Sequence, residues 1–305
     1  MSRIVVLRAL GLGDLLTAVP ALRALRAAHP EATITVAAPD WLAPLAMLSR
    51  TVDEVVDTAP LAPLDPALAG ADLAVNLHGR GPQSTELLAA TNPRRLIAFG
   101  IDGRVWRADE HEVRRWCRLL TEGGIPADPR DLDLAQTPVP SPAPGAVILH
   151  PGAASESRRW PVERWVEVAR RLSGGGRRVV VSGAPSEVPL AAEVVQRAAL
   201  PPEASLAGRT GVLELAVLVA EASLLICGDT GVAHLATAYG TPSVLLFGPT
   251  PPALWGPPPD RAEHTVLWTG QTGDPHADAP DPGLLGISTD DVLAAVPPAS
   301  DEARR

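Results

Sequence analysis

Short apolar, β-branched runs recur along the first half of the chain, at 3–7 (RIVVL), 34–37, 72–77 (DLAVNL) and 95–99. Runs of this kind, without polar alternation, are the signature of strands buried on both faces. Between them lie helical spacings at 15–28 and 41–49, and a further helical pattern surrounds Cys117. Strand and helix in alternation predict βαβ units and a parallel sheet. The rhythm then resumes, with a strand at 146–150, a helix at 161–172 with Pro161 in its first turn, a strand at 179–182 and helices at 186–199 and 213–222. From Leu224 to Thr250 the pattern is a buried strand, a Gly-Asp-Thr-Gly turn, a short helix and a second buried strand. After Gly256 the chain is rich in Pro and Gly, and 288–295 scans as one amphipathic helix.

The break between the halves is AQTPVPSPAPGA at 135–146, proline-rich and nearly chargeless, which marks a linker. The expected organisation is a first domain over 1–140, a second over 146–296 and a disordered tail over 297–305. The expected fold class is α/β: two Rossmann-like, doubly wound domains facing each other across a cleft at the carboxyl ends of their strands, where such sheets bind ligands.

At 305 residues and 46% apolar content the chain can build two cores, and with 3% aromatics they must be made of Val, Leu and Ala. A net charge of −9 without any basic cluster argues against nucleic acid. Cys117 and Cys227 have no partner at metal or disulfide spacing, and so are expected to be reduced core thiols in a cytoplasmic protein. Arg8 and Asp14 interrupt the apolar start, which favours strand, turn and helix over a signal peptide. No run reaches the ~20 apolar residues that span a bilayer, so no transmembrane segment is expected. A peripheral place at the inner membrane face stays open.

The chemistry-bearing residues cluster after the strands. Gly228-Asp229-Thr230-Gly231 brings backbone N–H groups to a helix N-terminus, a ready site for a diphosphate. Asp229 is either the cap of that helix or a sugar-hydroxyl contact, since a carboxylate would repel the phosphates. His234, one turn on, is either a satisfied buried histidine or a ligand contact. Ser155, Arg158 and Arg159, after His150-Pro151-Gly152, form a phosphate clamp, or else a solvated basic loop beside a core Trp160. Ser186 is expected to cap the helix after 182–187, with Glu187 in its first turn or on a ribose. Asp14, after Leu10-Gly11-Leu12-Gly13, is a helix N-cap or a general base; the third glycine of a dinucleotide fingerprint is replaced by Leu16. His78 and Arg80 end a first-half strand and are candidates for acceptor recognition. Asp131-Leu132-Asp133 matches a metal-binding D-x-D pattern without its strand context, so no catalytic metal is expected.

Taken together, LGLGDLLTAVPALRALR, LHPGAASESRRWPVERW, SGAPSE, the GDTGVAHLATAYGTP segment and LLFGPT resemble the heptosyltransferases of glycosyltransferase family 9. The resemblance runs in order over nearly the whole chain, with few landmarks between 39 and 130. It implies a GT-B fold, an ADP-sugar donor such as ADP-heptose as co-substrate, no cofactor, and metal-independent inversion. By position it implies Asp14 as general base, Arg158 as donor-phosphate cation where familiar members have lysine, Glu187 on the nucleotide ribose, Asp229, Thr230 and Gly231 in the sugar and diphosphate loop, and His234 beside them. The stretch 37–77 holds one basic residue, Arg50, among several acids, which favours a lipid-linked, glycan or natural-product acceptor over a phosphorylated lipopolysaccharide core. A monomer is expected. Two rival functions remain: a non-hydrolysing sugar-nucleotide epimerase and a non-catalytic sugar-nucleotide-binding protein.

Overall fold

The computed structural model describes residues 2–298. Contacts divide the chain into two compact units with the boundary between Gln136 and Thr137, inside the proline-rich stretch.

In the first unit the strands are β1 (Arg3–Leu7), β2 (Thr33–Ala38), β3 (Glu54–Asp57), β4 (Leu73–Asn76) and β5 (Leu96–Ile97). The helices are α1 (Leu12–Ala28), α2 (Ala43–Leu48), α3 (Gln83–Ala90) and α4 (Glu112–Glu122). All strand pairings are parallel, in the order β3-β2-β1-β4-β5. The second unit contains β6 (Val147–His150), β7 (Val179–Val181), β8 (Leu224–Gly228), β9 (Ser243–Leu246) and β10 (His264–Leu267), again all parallel, in the order β10-β9-β8-β6-β7. Its helices are α5 (Val162–Gly174), α6 (Val188–Arg197), α7 (Val212–Ala220), α8 (Gly231–Tyr239), α9 (Pro252–Trp255), α10 (Pro282–Leu285) and α11 (Thr289–Ala294).

The strands form where the sequence is continuously apolar, because β1, β4, β6, β8 and β9 have neighbours on both faces and leave almost nothing exposed. α1 is buried nearly all round from Leu15 to Leu25, whereas α5 buries a single stripe. In α5 that stripe is Trp165, Val166, Val168, Ala169 and Leu172. Trp160 packs edge-on against Trp165 at 5.2 Å and anchors the second core. Both sheets reverse direction beside their first strand, between β1 and β4 and between β6 and β8. Those are the points where a doubly wound sheet opens a crevice for ligand.

Several expectations need correction. β3 and β10 were not anticipated; both are half-exposed edge strands whose short patterns resemble loop. The helix expected over 41–49 is a 3₁₀ turn at Asp40–Leu42 followed by α2, and that over 186–199 is a 3₁₀ turn at Pro185–Glu187 followed by α6. Pro161 is the N-cap of α5, one residue before its first turn, because its ψ of 136° is extended. Ser186 caps nothing: it lies inside the 3₁₀ turn, and Glu187 takes the cap position of α6. Pro297 receives the Arg177 guanidinium on its carbonyl, Pro298 is exposed, and 299–305 of the expected disordered tail lie outside the described residues. Among the described residues no helix is long and apolar enough to cross a membrane. Cys117 and Cys227 are free and buried. Burial pushes the Cys117 thiol up to about 12, and Cys227 rises as well, so neither is poised as a nucleophile.

Candidate functional site

In the first unit the loops leaving β1 and β4 meet at the switch point. α1 begins at Leu12 with Gly11 in the cap position, so Asp14 is the third helical residue and not the N-cap. Its Oδ2 reaches back to the Gly11 N–H at 3.2 Å, satisfying one orphan donor of the first turn. The other carboxylate oxygen faces Arg8, whose Nη2 is 3.4 Å from Oδ1. Asp14 keeps 28% of its side chain exposed, whereas Arg8 is 1% exposed.

Arg8 is the hub of this corner. Its Nε donates to the Asp14 carbonyl (2.8 Å), Nη1 to the Leu77 carbonyl, and Nη2 to Thr17 Oγ1 (3.1 Å) and Glu112 Oε1 (3.1 Å). The guanidinium also lies 4.8 Å from the Trp116 ring centroid. Glu112 in turn accepts from Trp116 Nε1 at 2.9 Å and pairs with Arg115. One side chain at the end of β1 therefore ties together the start of α1, the end of β4 and the first turn of α4.

His78 follows β4, with its N–H held by Asn76 Oδ1 at 3.0 Å; the Asn76 amide donates to Ser84 and Thr85. The His78 Nδ1 is buried and has no hydrogen-bond partner among the described residues. Burial lowers its pKa, the Arg8 charge lowers it further, and the Asp14 charge opposes them, so His78 and Asp14 share one electrostatic environment. Arg80 stands exposed beyond it.

In the second unit the loops after β6 and β8 flank the other switch point. The loop after β6 makes a 3₁₀ turn at Glu156–Arg158 with Ser155 in its cap position. Arg158 Nη1 donates to the Asp229 carbonyl at 3.3 Å, and its Nε is buried with no partner among the described residues. A Cβ at Gly228 would stand 3.2 Å from the Arg158 carbonyl, so a larger residue there would press on this close approach. Arg159 points back into its own loop, to the Ala153 carbonyl and Glu156, and Trp160 is tied to the Ile287 carbonyl at 3.0 Å. Of the two guanidiniums expected to clamp phosphate, only Arg158 faces the Gly-Asp-Thr-Gly turn.

Thr230, in extended conformation, holds the cap position of α8, which removes Asp229 from that role. Gly231 opens the helix, and His234 lies one turn further, its ring 6.0 Å from Trp255. Asp229 is 8% exposed, and its carboxyl is pushed up to about 6 by burial, against the opposing charge of Arg158.

Glu187 lies between two loops. Its Oε2 accepts from the Ala184 N–H at 2.7 Å, and a Cβ at Gly152 would fall on its carboxylate. His150 Nε2 stands 4.0 Å away, while its Nδ1 meets Ser182 Oγ at 3.0 Å. Burial lowers the His150 pKa, with Glu187 acting the other way. Sequence reasoning missed Arg8, Glu112 and His150 as members of these sites. The one legible signal was a charge or a histidine closing an apolar strand. Among the described residues no group of three or more His, Cys, Asp and Glu is placed to hold a metal; the Asp131 carboxylate pairs with Arg23.

Two parallel doubly wound sheets, each with polar residues gathered at its switch point, define an α/β protein of two Rossmann-like units. The profile of glycosyltransferase family 9 (heptosyltransferase) matches residues 104–280, more than half of the chain. The chain belongs to that family and is a glycosyltransferase, which sets aside the epimerase and binding-only functions. Solved structures of similar fold include a glycosyl transferase family 9 protein from Veillonella parvula DSM 2008, with 23% identity, 96% of each chain covered and a TM-score of 0.78. The E. coli ADP-heptose lps heptosyltransferase II shares 23% identity over 97% of each chain, with a TM-score of 0.77. E. coli heptosyltransferase WaaC with ADP shares 20% identity over 96% of this chain and 98% of its own, with a TM-score of 0.70. A search of curated proteins finds no sequence match.

Proposed function

We propose that this glycosyltransferase moves a heptose from ADP-heptose to an acceptor hydroxyl, with inversion and without a metal. The observation that supports this best is the pairing of Arg158 with the Gly-Asp-Thr-Gly turn at the β6/β8 switch point. A fixed guanidinium and the first amides of α8 suit a leaving diphosphate, where negative charge develops as the anomeric C–O bond breaks. The ADP-heptose heptosyltransferase II and the ADP-bound heptosyltransferase WaaC of E. coli, similar in fold, favour that donor.

In this proposal the first unit binds the acceptor and the second the donor. Asp14 takes the proton of the acceptor hydroxyl as its oxygen forms the new bond to the anomeric carbon and ADP departs. General-base steps of this kind contribute about 10²–10⁴-fold. Glu187 contacts the nucleotide ribose, Asp229 and His234 the donor sugar, Ser155, Arg158, Thr230 and Gly231 the diphosphate, and His78 and Arg80 the acceptor. The acidic character of 37–77 supports an acceptor without phosphate groups: a glycan, lipid-linked or natural-product intermediate. In this proposal the enzyme works as a monomer in the cytoplasm, free or at the inner membrane face.

A thermal-shift panel of ADP-, UDP- and GDP-sugars tests the donor. Stabilisation by ADP-heptose alone is expected; a response confined to UDP-sugars overturns the assignment. Transfer that is unaffected by 5 mM EDTA is expected, and its abolition would remove the metal-free mechanism.

A further inference from the structure

Asp229 is a buried carboxyl at the place where an anionic donor is proposed to bind, and no hydrogen bond from the described residues reaches its carboxyl oxygens. Arg158, the cation beside it, directs its one hydrogen bond in this corner to the Asp229 carbonyl instead. The other titratable groups on the surrounding elements are Cys227 on β8, whose thiol stays protonated, His234 on α8, and His150 on β6, opposite Cys227 in the sheet, whose pKa burial lowers. A buried carboxylate with one nearby cation and no donors of its own is only weakly held in its charged form.

A sugar-linked diphosphate brings two negative charges to the adjacent helix N-terminus and competes for the same guanidinium. Two anions then share one cation in a poorly solvated corner. The carboxylate is the one of the two that can be neutralised, because a diphosphate diester has no proton to gain between about pH 5 and 9.

We propose that the second unit takes up one proton at Asp229 on binding an ADP-linked sugar, so that Asp229 meets the donor as a neutral carboxylic acid. Its O–H then donates to a donor oxygen, and the repulsion that a carboxylate would impose on the diphosphate is absent. The inference rests on the ADP-sugar assignment above and goes further, giving Asp229 a protonation state and donor affinity a pH dependence. Its charge in the unliganded protein fits: burial has already brought the carboxyl to about 6, within reach of a modest further push.

The experiment is titration calorimetry of the full-length protein with ADP-heptose at pH 7 in four buffers of different ionisation enthalpy. The slope of the observed enthalpy against buffer enthalpy counts the protons taken up. A slope of about 0.5–1 is expected, with affinity falling up to tenfold from pH 7 to pH 8. In Asp229→Asn, which keeps the shape and offers an N–H donor, the slope should fall below about 0.2 and the pH dependence of Kd should flatten. In His234→Gln the slope should persist, whatever happens to affinity. A zero slope in the wild type, an unchanged slope in Asp229→Asn, or a slope lost in His234→Gln would overturn the inference. Absence of any ADP-heptose binding by the wild type would overturn the donor assignment, and the inference with it.

Discussion

Replacing Arg8 by methionine removes a fully buried cation while keeping the length of the side chain, and the structure sets the size of the loss. Four hydrogen bonds disappear: to the Asp14 and Leu77 carbonyls, to Thr17 and to Glu112. Glu112 does not become an isolated charge, because Arg115 and the Trp116 N–H remain on it. The two carbonyls, however, lose a charged donor, a contact worth about 1.5–3 kcal/mol. Removing the buried cation also relieves its own desolvation, which offsets part of the loss. Two such contacts, reduced by that relief, leave an expected loss of about 3–5 kcal/mol. For a unit of this size the melting transition of the first unit should drop by roughly 10–17 °C. Calorimetry together with urea unfolding followed by far-UV circular dichroism measures it. A double-mutant cycle with Glu112→Gln isolates the pair, and a coupling of about 1–2 kcal/mol is expected. A single-variant loss under about 1 kcal/mol, or zero coupling, would refute the assignment of Arg8 as the element that ties β1, α1, β4 and α4 together.

Three further outcomes follow from the geometry. Asp14→Asn should lower the rate of transfer about 10²–10⁴-fold and leave ADP-heptose affinity within about threefold, read by single-turnover kinetics and calorimetry; a near-normal rate removes Asp14 as the base. Asp229→Asn should make the protein more stable above neutrality. Its carboxyl sits at about 6 in the folded unit against 3.8 in an unfolded chain, so the native state prefers the protonated form. The stability it contributes is complete below about pH 4 and is lost as the pH rises through 6, by about 3 kcal/mol at pH 8. Chemical denaturation at pH 8 and pH 4 should show the variant's advantage at pH 8 only, and an equal advantage at both would contradict the cause. Gly152→Ala places a methyl on the Glu187 carboxylate. It should weaken ADP binding about tenfold or more while affecting 2′,3′-dideoxy-ADP little, and equal losses for both would take Glu187 off the ribose.

Much of this protein is legible in one dimension. The continuous apolar runs that become β1, β4, β6, β8 and β9 read as strands buried on both faces, and the helical spacings between them point to a parallel sheet. The proline-rich stretch contains the boundary between the units. The Gly-Asp-Thr-Gly turn can be located because a strand, a glycine and a helix start follow one another in the chain. What stayed hidden depends on contacts between distant positions. Edge strands β3 and β10 are half-exposed without a consistent alternation, so their four residues carry too little pattern to distinguish them from loop. The capping of α1 by Gly11 and of α8 by Thr230 was decided by backbone geometry, which moved Asp14 and Asp229 out of the cap positions their residue types favour. Arg159 and Arg158 are adjacent and chemically identical, yet one is bound within its own loop and the other faces the turn after β8. Arg8 and Glu112 are separated by 104 positions, and no local pattern announces that they form one buried pair. Local propensity and periodicity are properties of neighbouring residues and can be read along the chain. Burial, the pairing of charges and the protonation of Asp229 depend on which segments the folded sheets bring side by side.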